Sequence, residues 1–393
     1  MPTISHAGES AAPVIEEIIP SFSAGSMGLA SFSTDAAGEI YLVAISAPGL
    51  NTGVIHKLVP QGITPDAPAL LSQTGFFTDL ATLTPIPAAI PFSVASPLWS
   101  DGSDKHRWVV VPNDGSHNTS VEKIVFSEND NWVFPAGSVL VKHFELPLDE
   151  RNPAITRRLE TRFVVCTPDN GKYGITYKWN AEGTDAVLLN SGLVEYHDVT
   201  LANGSTVSRK WDYPSRADCM RCHNSAAGQG LGLRTHQINH DFLYPATGRS
   251  DSQLATLNAL GMFDTTLTSG QIGDFLAARA PYDLTAPLEH RIRSYLDSNC
   301  SHCHRPDGPV SGFDARLTTP LASQGIVDGE IIGRFHLPGG KYIKPGDPFL
   351  SAIRVRMASA ESPVAMPPLA KNLAHDEAIA ALDAYINGLD AAE

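Results

Sequence analysis

The 393-residue sequence predicts a multidomain β + α chain, an antiparallel β-sandwich followed by a mainly α-helical region. Three observations carry this prediction. Short apolar segments recur between turn clusters from residue 73 to about 215, with no helical spacing among them. After Pro214 the apolar residues fall at helical intervals. A five-residue cysteine–histidine pattern occurs twice, and both copies lie in this second stretch. The length allows two or three domains, each with its own core. No apolar run approaches the roughly 18 residues that span a bilayer. A formal charge of −14 speaks against a nucleic-acid partner, because phosphate binding relies on clustered Lys and Arg.

Residues 1–72 form the first segment. Within it, Gly38–Ile45 and Gly53–Pro60 read as two strands joined by a Pro/Gly/Asn turn region. A lone hairpin is barely stable in water, so it needs something to pack on. Met1–His6 shows no basic region followed by an apolar core, hence no visible signal peptide. Residues 73–215 carry the predicted sandwich, with strands at Trp108–Val111, Lys123–Phe126, Val139–Leu146, Leu159–Cys166, Tyr173–Trp179, Val187–Leu189 and Val194–Val199. Clusters such as Pro112-Asn113-Asp114-Gly115 and Pro168-Asp169-Asn170-Gly171 supply the turns. Residues 216–286 make a first helical module, in which Leu254, Leu257 and Leu260 share a face, and residues 287–393 make a second. There, Leu288, Ile292, Tyr295 and Leu296 form an apolar face that runs into Cys300. Ile379, Leu382, Tyr385 and Ile386 form another, opened by the acidic pair Asp376-Glu377 and stopped at Gly388.

The repeated pattern is Cys219-Met220-Arg221-Cys222-His223 and Cys300-Ser301-His302-Cys303-His304, both C-x-x-C-H. At this composition chance gives roughly 0.002 copies per chain. The spacing suits covalent haem attachment: two thiols add to the two vinyl groups on one porphyrin edge, and the adjoining histidine lies under the iron. A zinc site built from the four cysteines would leave both histidines unexplained. A redox dithiol would need a βαβ context and would not occur twice. The fifth cysteine, Cys166, lies in an apolar run and reads as a small buried hydrophobe.

The sixth iron ligand decides what such haems do, since methionine raises the potential and closes the iron whereas an open position permits chemistry. For the second haem Met366 is the candidate, held by Val364-Ala365-Met366-Pro367-Pro368 ahead of a helix, as in small class I cytochromes, with Met357 the fallback. For the first haem Met262, His240 and His236 stay open as alternatives.

Several landmarks resemble a group of bacterial two-haem c-type cytochromes of poorly defined role. They are Pro97–Gly102, Trp132–Gly137, Arg158–Arg162, Tyr177–Ala186, Tyr213–Arg216 and Gly232–Thr235, within a likeness covering about residues 73–393. In many members such a region follows a propeller resembling soluble PQQ-dependent sugar dehydrogenases. Residues 30–60 resemble its last blade through Ser31-Phe32, Asp35-Ala36, Gly38–Tyr41 and Leu58–Pro60. The resemblance implies two covalently bound haem c groups, a class I-like second haem region, and a chain that is either the tail of a fusion or a relative without the propeller. Trp99, Asp101, Glu160, Arg162, Trp179 and Asp185 are residue types a carbohydrate site uses, but read more simply as core and structural ion pairs.

The expected function is therefore that of a periplasmic or extracellular dihaem cytochrome. It would take electrons from a dehydrogenase, a quinoprotein domain or partner, and pass them to a cytochrome or oxidase acceptor. Haem attachment takes place outside the cytoplasm, so a leader segment is expected upstream of Met1. A dihaem peroxidase-like enzyme and a subunit of a multihaem electron-conducting assembly are the alternatives.

Overall fold

The computed structural model describes residues 28–34, 40–45, 53–57 and 67–389, apart from 169, 170, 229, 311 and 334. The chain divides into two compact units, Met1–Leu58 and Val59–Glu393. In the first, β1 (Gly28–Thr34), β2 (Ile40–Ile45) and β3 (Gly53–Lys57) form an antiparallel meander with Phe32 opposite Leu42 and Leu42 opposite His56. The two expected strands are present and β1 joins them. The expectations for Met1–His6, Asp35-Ala36, Gly38-Glu39 and Leu58–Pro60 lie outside the described residues.

The second unit opens with the short strands β4 (Phe77–Asp79), β5 (Thr84–Pro85) and β6 (Ile90–Pro91). Then follow β7 (Asp104–Val110), β8 (Val139–Pro147), β9 (Thr156–Cys166), β10 (Lys172–Trp179) and β11 (Ala186–Leu188). β6 to β11 form one six-stranded sheet in sequence order, antiparallel throughout. Because successive strand side chains point to opposite faces, each strand feeds two cores. Trp108, Val141, Phe163 and Ile175 join Leu71, Phe76 and Phe77 on one face. Val109, Leu140 and Val164 join Trp132, Ile238, Leu254, Met262 and Phe263 on the other. Each fully buried side chain of this size contributes about 1.5–3 kcal/mol.

The strands β12 (Leu193–Thr200) and β13 (Thr206–Tyr213) make a separate two-stranded ribbon. Val199, Trp211 and Tyr213 of this ribbon pack on Phe144, Leu146 and Leu159. The antiparallel β region is thus present as one large sheet and small ribbons. Lys123–Phe126 makes only isolated bridges, Ile124 with Phe263 and Val125 with Val133.

The helical region follows, interrupted by a hairpin the sequence did not lead one to expect: α1 (Arg216–Cys222), α2 (Thr235–Ile238), the hairpin β14 (Asp241–Tyr244) and β15 (Arg249–Ser252), α3 (Gln253–Ala259) and α4 (Ser269–Asp274). α5 (Leu288–Cys300), α6 (Ala352–Ala358) and α7 (Asp376–Asn387) complete the chain. The two predicted apolar faces meet: Ile292, Tyr295 and Leu296 of α5 share a core with Ile379, Leu382, Tyr385 and Ile386 of α7 and Met357 of α6. Among the described residues no helix is long and apolar enough to cross a membrane.

One polar tie joins the sheet region to the segment before α7. Asp101, buried at a left-handed φ of 52°, accepts from Asn372 N at 2.9 Å and Leu373 N at 2.8 Å, and from Asn372 Nδ2 at 3.1 Å. Beside it Trp99 Nε1 donates to the Leu373 carbonyl at 2.9 Å, and the Trp99 ring stacks on His375 at 3.9 Å.

Candidate functional site

Ser215 caps α1 by a reciprocal pair. Its hydroxyl accepts from Asp218 N at 3.2 Å while the Asp218 carboxylate accepts from Ser215 N at 3.0 Å. The helix can lie directly on β10 because position 174 is glycine: a Cβ there would sit 2.7 Å from Cys219 Cβ and Sγ. α1 thereby presents Cys219, Cys222 and, at its C-terminal end, His223 to a cavity above the sheet. The lining also includes Phe92, Val94, Leu140 and Val164, and the segment just after α5 adds Ser301 and His302.

The sheet gives this cavity a line of three cations. Arg107 lies opposite Lys142, and Lys142 opposite Arg162, and all three side chains line the cavity. Like charges directly across strands repel. Arg162 is matched by Glu160 through a forked pair at 2.8 and 2.5 Å, and Glu160 also accepts from Trp211 Nε1 at 3.0 Å. Among the described residues the Arg107 side chain donates only to the Lys105 carbonyl, at 3.3 Å, and the Lys142 ammonium has no hydrogen bond or ion pair but lies 5.4 Å from the centre of the Phe144 ring. Burial, with Arg107, Lys105 and Arg162 nearby, pushes Lys142 well below the usual lysine range, and burial lowers Arg107 to about 10. Asp101, Asp212, Asp218 and Asp297 line the same cavity, so its lining carries both signs of charge, and Arg107 and Lys142 have no carboxylate partner among the described residues.

The second motif follows α5 without a break. Cys300 and His304 line a second cavity, where the His304 ring stacks on Phe313 at 4.2 Å. Met366 and Met357 line the same cavity. Arg356 of α6 fixes the Met366 segment: Met366 N donates to the Arg356 carbonyl at 3.0 Å, and Arg356 Nε donates to the Val364 carbonyl at 2.9 Å. The two motifs touch. Asn224 Nδ2 donates to the His302 carbonyl at 2.7 Å, and Cys303 Sγ lies 3.8 Å from the Arg221 carbonyl oxygen.

Burial pushes the Cys219 thiol up to about 11 and the Cys300 and Cys303 thiols up to about 12, opposite to the lowered value a redox dithiol needs. Burial lowers His302 and His304 to about 4, so both rings are neutral near pH 7, the form that ligates a metal. Among the described residues no three His, Cys, Asp or Glu side chains gather into a cluster of their own that could hold a metal ion.

The residues weighed for the far side of the first haem lie elsewhere. Met262 is 1% exposed in the core with Trp132 and Phe263. His236 Nε2 donates to Asp297 Oδ2 at 2.8 Å, and His240 binds the Asp241 carbonyl at 2.9 Å. None of the three lines either cavity. The apolar periodicity that singled out Met262 reports its packing. Of the residues read as a carbohydrate site, Asp185 bonds Ser72 and Trp179 bonds Thr161 in the fold, whereas Trp99, Asp101 and Arg162 do line the first cavity. The sequence reading missed the cation line, visible only once strand register is known, and His302, whose signal was an imidazole inside the second motif. Cys166 is buried in the core. Comparison with protein-family models, with curated proteins and with solved structures finds no match for this chain.

Proposed function

We propose that this chain is a two-haem c-type cytochrome that carries electrons outside the cytoplasm, from a dehydrogenase donor, a quinoprotein domain or partner, to a cytochrome or oxidase acceptor. The observation that carries the reading is that Cys219, Cys222 and His223 line one cavity and Cys300 and His304 another, with Met366 in the second and a line of basic residues in the first; Cys303 is in neither lining. Bound haem iron supplies one-electron chemistry whose potential follows its axial ligands.

Cys219 and Cys222 would hold the first macrocycle with His223 under the iron, and Cys300, Cys303 and His304 the second. Met366 would supply a thioether ligand to the second. Arg107 and Lys142, lacking acidic partners, fit the propionate carboxylates of the first haem, and an anion beside them would offset their desolvation. The pairing of α5 with α7, with a methionine segment just ahead of α7, supports reading residues 287–393 as a class I-like haem region. Contact between the motifs supports direct electron passage between the two groups. Spectroelectrochemical titration of the matured chain tests this: two separate one-electron transitions are expected, and one transition or none would refute it.

A further inference from the structure

We propose that His302 is the axial ligand opposite His223 on the first haem, so that one residue of the second motif completes the site of the first. The inference rests on the two-haem reading above. His302 is 6% exposed and its side chain lines the first cavity. Its ring makes no hydrogen bond among the described residues, and neither ring nitrogen is among the buried side-chain atoms sealed off without a partner, so the ring stays open to the cavity it lines. His223 and His302 are the imidazoles among that cavity's lining residues, and no methionine is among them. Of these two cavities the second is the one lined by methionines, Met357 and Met366. The His302 backbone is held in place by the residue next to His223, through the 2.7 Å bond from Asn224 Nδ2 to its carbonyl.

Two consequences follow. A second imidazole closes the first haem to exogenous ligands, which removes the open position a peroxidase needs. Methionine raises a haem potential relative to imidazole, so the first haem is the lower in potential and the second the higher. Electrons entering at the first site therefore pass downhill to the second.

Near-infrared magnetic circular dichroism of the oxidised wild-type protein, matured with its haems, is expected to show one bis-histidine and one histidine–methionine low-spin haem. His302→Ala is expected to retain two haems by mass, convert one of them to high spin, and regain low spin on adding imidazole. His302→Met is expected to stay low-spin with the lower of the two potentials raised. A wild-type spectrum with two histidine–methionine haems, or one high-spin haem, overturns the assignment. So does a fully low-spin His302→Ala protein carrying two haems. Conversion to high spin by Lys142→Ala instead would name Lys142 as the ligand. Absence of both haems from the wild-type protein would refute the two-haem reading itself, a result separate from all of these.

Discussion

Asp101→Ala tests how the sheet region holds the segment that carries Met366. The Asp101 carboxylate accepts from Asn372 N, Leu373 N and Asn372 Nδ2 in a buried setting. Removing it leaves two backbone N–H groups unpaired, at about 1–3 kcal/mol each. Alanine at the left-handed φ of 52° adds about 1 kcal/mol of strain. The expected loss is therefore about 3–7 kcal/mol. Asp101→Asn tolerates that φ and keeps the oxygen that accepts both backbone bonds, so it should cost only about 1 kcal/mol. Burial raises the Asp101 carboxyl above its ordinary value of 3.8. The pH-dependent part of its contribution is thus greatest below about pH 4 and is lost as pH rises through the raised folded value, while the hydrogen bonds counted above remain; Asp101→Asn removes this slope. Urea unfolding of the full chain, followed by circular dichroism across pH, measures all three quantities. An alanine variant within 1 kcal/mol of the asparagine variant would refute the reasoning.

Three further outcomes are expected. Gly174→Val places side-chain carbon against Cys219, where even a Cβ comes within 2.7 Å, and should block seating of α1; intact mass should then show one haem where the wild type has two. Met366→Ala should abolish the near-infrared band of methionine-ligated ferric haem while both haems stay attached; persistence of the band would move the assignment to Met357. For Asp297, burial opposes ionisation, but His236 and Arg234 outweigh it and hold the carboxyl well below its ordinary value. Its contribution is present above about pH 4 and lost as pH falls below, so Asp297→Asn should flatten the acid limb of the stability curve measured by urea midpoints at pH 3 and pH 7. Asp297→Ala should cost about 3–5 kcal/mol at neutral pH by leaving its buried partners unmatched.

The strands at 139–146, 159–166 and 173–179 were legible because period-2 alternation of large apolar residues reports burial on two faces. α5 and α7 were legible for the matching reason at period 3.6. β13 was not, because Arg209, Lys210 and Asp212 interrupt an alternation that Val207, Trp211 and Tyr213 still carry. Lys123–Phe126 has strand composition but meets only single bridging partners, which local sequence does not encode. In the candidate site, Cys219, Cys222, His223, Cys300, His304 and Met366, which line the two cavities, could be singled out from motif spacing and the Pro-flanked context of the methionine. The cation line depends on cross-strand register, and the place of His302 depends on how α5 meets the first cavity. Both are products of tertiary packing.

The central claim is tested most directly by the intact mass of the natively exported chain after denaturation, which separates covalent from loosely held cofactor. The account predicts a mass greater than that of the polypeptide by two haem groups. A protein at its bare polypeptide mass would contradict it.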